Sequence, residues 1–124
     1  MAGKNLKLFM KSSGFFEYVK NDVLREIPGI TSRPMFGGIS FYKDGVIFGM
    51  IAPMGDEEKL FFKVGESNIK DYEERGMKPF SYQAKNGKTV AMAYYEVAEE
   101  ILENQEQVRE WVQRAVLVSS EART

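Results

Sequence analysis

The chain has 124 residues, of which 44% are hydrophobic and 28% charged, a balance that suits one soluble folded domain rather than a disordered segment. Its 17 basic and 18 acidic side chains nearly cancel, so the overall charge does not mark a nucleic-acid binder, whose affinity comes largely from neutralised phosphates. With no cysteine and no histidine, disulfides, thiolate metal sites, cysteine nucleophiles and Ser-His-Asp chemistry are all excluded.

The chain opens with "MAGKNLKLFMKSS", whose apolar patch Leu6–Met10 is broken by Lys7. A secretory signal needs an unbroken apolar core of about 7–15 residues. The segment therefore reads as a tail, residues 1–12, on a cytoplasmic protein. Phe15, Phe16, Val19, Val23, Leu24 and Ile27 then recur at helical spacing, which predicts an amphipathic helix from about Ser13 to Ile27. Ser12 or Ser13 can cap it, and Pro28-Gly29 stops it. Its polar face (Glu17, Asn21, Asp22 and Arg25) is expected to be solvated.

The pattern changes to strands at Ile30. A first strand runs from Thr31 to Met35, confined by Pro34 to an edge or a bulge. In "GISFYKDGVIFGMIAP" two apolar runs flank Asp44-Gly45, a pair that tolerates positive φ and so signals a hairpin. Both faces of these strands are apolar, which predicts helices over one and a partner subunit over the other. "PMGDEE" is a loop and "KLFFKV", Lys59–Val64, a further strand. Ser67 or Asn68 caps a short helix from about Asn68 to Glu74, closed by Gly76. "FSYQAKNGKTVAMAYYEV" reads as a hairpin with a two-residue type I′ turn at Asn86-Gly87. A short helix near Val97 follows. Asn104 with Gln107 then opens a last helix, whose apolar stripe is Val108, Trp111, Val112, Ala115 and Val116. The domain spans residues 13–118, and 119–124 reads as a frayed tail. This order predicts an α+β, two-layer domain with a mostly antiparallel sheet of about five to six strands and N- and C-terminal helices.

The candidate chemistry is thin. Gly37-Gly38 lacks the lysine and hydroxyl of a phosphate loop and leads into "ISFY", a strand, so it reads as a bend seating Met35 and Phe36 in the core. Arg33 either pairs with a carboxylate or holds an anionic partner. Lys63, inside an apolar strand, snorkels or pairs with an acid ahead of any catalytic use. The adjacent acids Glu73-Glu74 and Glu99-Glu100 show no facing carboxylate pair. Tyr94 and Tyr95 fall on opposite faces of their strand, so at least one belongs to the core. Trp111 reads as a core anchor.

The ordered series "RPMFGG", "FYKDGVIFGM", "LFFKV", "PFSY", "AYYEV" and "REWVQRA" resembles the N-terminal domain of the bacterial competence regulator TfoX, also called Sxy, in a stand-alone form without the second domain of longer members. The resemblance covers roughly Phe15 to Val116. It implies a two-layer α/β domain and a non-enzymatic role in regulating competence or transcription through protein contacts. Its signature positions fall on Arg33, Met35, Phe36, Gly37, Gly38, Lys63, Pro79, Phe80, Tyr94, Tyr95 and Trp111, with no catalytic, cofactor or metal residue among them. Ala98 departs from the proline common in relatives. The expected partner is a protein, a homodimer being one form of it. The alternative is a small-ligand or anion site built from Arg33, Lys63 and the tyrosines, while direct nucleic-acid binding is disfavoured.

Overall fold

The computed structural model describes residues 14–35 and 37–122. The first periodic stretch coils as a short helix, α1 (Phe15–Tyr18), that runs into a π-helical segment over Val19–Val23. There the Leu24 N–H reaches back five residues to the Val19 carbonyl at 2.9 Å. The wider turn carries the adjacent Val23 and Leu24 into the core together. Helical structure therefore stops short of the expected Ile27. Glu17, Asn21, Asp22 and Arg25 are solvated or half-open as expected. The tail 1–12 and the Ser12 or Ser13 cap lie outside the described residues.

Six strands follow: β1 (Ile30–Met35), β2 (Gly38–Lys43), β3 (Val46–Met54), β4 (Glu57–Lys63), β5 (Pro79–Gln83) and β6 (Thr89–Glu96). They form one sheet in the order β1-β2-β3-β4-β6-β5, with every neighbouring pair antiparallel. After β4 the chain passes through α2 (Ile69–Glu74) to the far edge and returns by a hairpin to pair β6 with β4. Two helices, α3 (Glu99–Leu102) and α4 (Gln105–Ala122), complete the expected α+β architecture. The last helix continues through Ala122, with Ser119 buried, so the tail expected to fray at 119 is helical to that point.

The glycine pair of "RPMFGG" joins the first two strands, Gly37 lying between them and Gly38 opening β2. Met35 pairs with Gly38, and Gly37 sits between them at φ +79, where a side chain would be strained. A Cβ on Gly38 would stand 2.1 Å from the Ile51 carbonyl oxygen, so only glycine lets β2 lie this close to β3. Asp44 and Gly45, at φ 49 and 84, form the expected two-residue turn. Asn86-Gly87 does not form a type I′ turn. Gly87 alone has positive φ, its N–H bonds the Ala84 carbonyl, and the Ala84 N–H bonds Lys88, which is a type I turn with a glycine bulge. The Asn86 carboxamide oxygen accepts from the Lys88 N–H at 3.0 Å and holds the asparagine out of the left-handed region.

β1 is an edge strand. The Asp44 N–H bonds the Gly29 carbonyl at 2.9 Å, so odd residues of β1 face β2 and even residues face outward. Pro34 therefore occupies an outward position, where its missing N–H breaks no ladder bond.

The helices cover one face of the sheet. Val19, Leu24, Phe41, Phe48, Leu60, Phe62, Tyr72, Ile101, Val108 and Val112 form the principal core there. Trp111, 5% exposed, is its anchor, with its ring 4.5 Å from Tyr72 in edge contact. Asn68 precedes α2 as expected but does not cap it with its side chain. Its amide, 2% exposed, accepts from the Gly65 N–H at 2.7 Å and donates to the Lys63 carbonyl at 3.1 Å, pinning the exit of β4. Asn104 does cap α4, accepting from the Gln107 N–H at 3.1 Å.

Candidate functional site

The other face of the sheet carries a second apolar cluster: Met50, Ala52, Phe61 and Tyr94, with Met35, Met54, Phe80 and Met92 packed on it. No residue of a described helix joins this cluster. Between Pro79 and Ser81 the register shifts, because β6 runs from Tyr95 to Ala91 while β5 advances two residues. Such a bulge bends the strand pair. It brings Phe80 edge-on to Phe61 at 5.1 Å and sets Phe80, Tyr82 and Met92 opposite Met35, Met50 and Ala52. The space between is a groove of about 400 Å³, almost wholly apolar, and Tyr82 on its rim is 49% exposed.

Beside the groove lie cations and aromatic rings. Arg33 is exposed on β1, and its guanidinium sits 5.5 Å from the centre of the Tyr42 ring. Ser40, which pairs with Arg33 across the strands, donates to the Arg33 carbonyl at 3.2 Å and lies 3.2 Å from the Tyr42 hydroxyl. Lys63 ends β4 opposite Tyr94 and places its ammonium 5.0 Å from that ring. Burial, with Tyr42 adding to it, pushes the Tyr94 phenol above its ordinary pKa. Neither Arg33 nor Lys63 has a carboxylate within ion-pair distance among the described residues. The expected pairing with an acid is thus replaced at both positions by a ring.

Lys59, two residues before Phe61 on the same face, behaves differently. Its ammonium lies 3.5 Å from Glu96 and 3.6 Å from Glu57. Burial alone would lower its pKa, but the two carboxylates outweigh that and hold it above the ordinary value.

The sequence-derived positions separate into two groups. Arg33, Met35, Lys63, Phe80 and Tyr94 meet on the open face, whereas Tyr95 and Trp111 belong to the helix side. Tyr95 packs 5.7 Å from Tyr72, with its hydroxyl 3.5 Å from Glu73. Pro79 opens β5 opposite Tyr95. Gly37 and Gly38 shape the first hairpin, and Phe36 lies outside the described residues. Met35 packs in the smaller cluster, not the principal core. Among the described residues, Arg33 and Lys63 line neither of two roomy cavities, which does not support one small-ligand pocket shared by both. The other cavity, about 470 Å³ beside α4, is rimmed by charges already paired, Arg109 with Glu26 and Lys43 with Asp44. Among the described residues no acidic cluster could hold a metal ion, and no helix is long and apolar enough to cross a membrane.

Tyr42, Ser40, Met50 and Met92 are site residues that the sequence reading passed over. A bulge at Phe41/Tyr42 changes the pairing phase between β2 and β3, and nothing in either strand alone announces it.

A six-stranded antiparallel sheet with helices on one face and an apolar, cation-flanked groove on the other defines a small α+β domain. A family model described as the TfoX N-terminal domain matches residues 22–119, and the chain belongs to that family. A search of curated proteins finds no match to the chain.

Proposed function

We propose that this chain is a non-enzymatic protein-interaction module that docks a partner on the open face of its sheet, in a regulatory role of the kind linked to competence or transcription. The observation that carries the reading is the methionine-lined groove with no described helix over it. Methionine side chains are flexible and polarizable and suit surfaces that adapt to a partner. Family membership supports the regulatory context. The non-catalytic reading is supported by the lack of cysteine and histidine and by Lys63, whose ammonium lies over a ring beside no enclosed cavity. A small-anion pocket is less well supported, because Arg33 and Lys63 share a face without sharing a cavity.

Affinity capture from native lysate with the wild-type chain and Met92→Asp tests the reading. The expected result is a partner retained by the wild type and lost by the variant, with both proteins melting at similar temperatures. Equal capture by the two proteins, or no specific capture by either, would overturn it.

A further inference from the structure

Resting on that docking reading, we infer that the partner is an acidic–apolar polypeptide segment, held by Arg33 and Lys63 on either side of an apolar residue that enters the methionine groove. Three features of the open face carry the inference.

The first is charge. Lys59 is neutralised by Glu57 and Glu96, whereas Arg33 and Lys63 face only rings. The hairpin that walls the groove adds Lys85 and Lys88, both exposed and without an ion pair among the described residues. The unpaired cations around the groove, Arg33, Lys63, Lys85 and Lys88, outnumber the exposed acid at its end, Asp56, which disfavours a second copy of the same face and favours a carboxylate-bearing partner.

The second is distance. Arg33, Ser40, Met50 and Phe61 are register partners across four adjacent strands, and Lys63 lies two residues beyond Phe61. With strands about 4.8 Å apart and a rise of about 3.3 Å per residue, the two cations stand about 16 Å apart at their Cα atoms. That is too wide for one small anion. It is spanned by about five residues of extended chain.

The third is what lies between the cations. Met50 occupies the row that joins them and also lines the groove beside Met35 and Met92. A segment crossing from one cation to the other thus passes an apolar opening midway. Acid, apolar, acid is the order that fits. Each cation is held over a ring, so its position is set before the partner arrives and less side-chain entropy is lost on binding.

Selection of a random peptide library displayed on phage against the immobilised full chain tests this. The wild type is expected to enrich sequences with two acidic residues about three to five positions apart around an aliphatic one. A synthetic peptide of the enriched sequence should bind the Arg33→Gln/Lys63→Gln variant roughly threefold to tenfold more weakly. It should lose the same affinity when its own acids become amides, and the variant should melt like the wild type. Enrichment of apolar peptides without acids, still abolished by Met92→Asp, would overturn the acidic partner and leave the docking face standing. No enrichment, or enrichment indifferent to Met92→Asp, would remove the docking face and this inference with it. Tighter binding of a single-stranded oligonucleotide than of any peptide would overturn the inference. So would a dimer in sedimentation that Tyr82→Asp splits.

Discussion

The two faces of the sheet are built from similar residues and put to different use. Behind the helices, Phe41, Phe48 and Phe62 are fully buried among valines, leucines and Trp111, and their rings pack in turn across β2, β3 and β4. On the open face the aromatic residues alternate with methionines and cations, and Tyr82 stays half in water. Met50, Ala52, Phe61 and Tyr94 are themselves buried, but the residues packed on them, Met35, Met54, Phe80 and Met92, are only half-buried, so this face presents an apolar rim to water where the other is sealed by helices. Composition does not separate the two faces. What separates them is which one the described helices cover.

The largest expected difference lies in truncation of the anchors. Trp111→Ala should cost about 3–5 kcal/mol of unfolding free energy in denaturant titration, because a cavity opens beneath α4. Should it cost less than about 1 kcal/mol, the helix side would not be the rigid half of the molecule, and the contrast would fail.

Gly38→Ala comes next, at about 1–3 kcal/mol, since the new Cβ must displace the Ile51 carbonyl that joins β2 to β3. Denaturation midpoints measured beside Gly37→Ala would separate close approach at one glycine from positive φ at the other.

The smallest effect at neutral pH belongs to Tyr72→Phe. The Tyr72 hydroxyl is buried without a hydrogen-bond partner among the described residues, so removing it should change stability by less than about 1 kcal/mol, or raise it. Its signature lies at high pH. Burial raises the folded-state pKa of Tyr72, and also that of Tyr94, above the ordinary tyrosine value. Below the unfolded pKa both states are protonated and nothing is lost. Above it the unfolded chain ionises first, and each phenol lowers stability by up to about 1.4 kcal/mol per pH unit until its own folded-state pKa is reached. Tyr72→Phe should remove one such increment from the alkaline slope, as read by unfolding between pH 9 and pH 12. An unchanged slope would mean that Tyr72 ionises freely and its side of the sheet is open to water.

Much of this architecture was legible because local chemistry dictated it. Asp44-Gly45 specified its turn, Gly76 closed α2 at φ +76, and alternation put Tyr94 and Tyr95 on opposite faces. The Trp111 stripe found its core for the same reason. What escaped depends on contacts distant in sequence. The π-helical turn at Val19–Val23 answers to the sheet packed beneath it. The two bulges, at Phe41/Tyr42 and Pro79/Ser81, re-aim whole strands without a glycine or proline at every shifted position. Because the bulges shift the pairing of β2 with β3 and set Met92 opposite Met35, the groove itself could not be read from a single strand's pattern. Arg33, whose sequence context left an acid or an anionic partner open, has a ring as its companion among the described residues.

Pro34 and Pro79 bear on assembly. The outward donors of β1 belong to Ile30, Ser32 and Pro34, so its row loses the last of three, and Pro79 leaves the outer row of β5 without its first. A strand added at either border therefore meets a shortened ladder. Runaway edge-to-edge stacking needs long unbroken borders, and an imino acid on each edge denies it both.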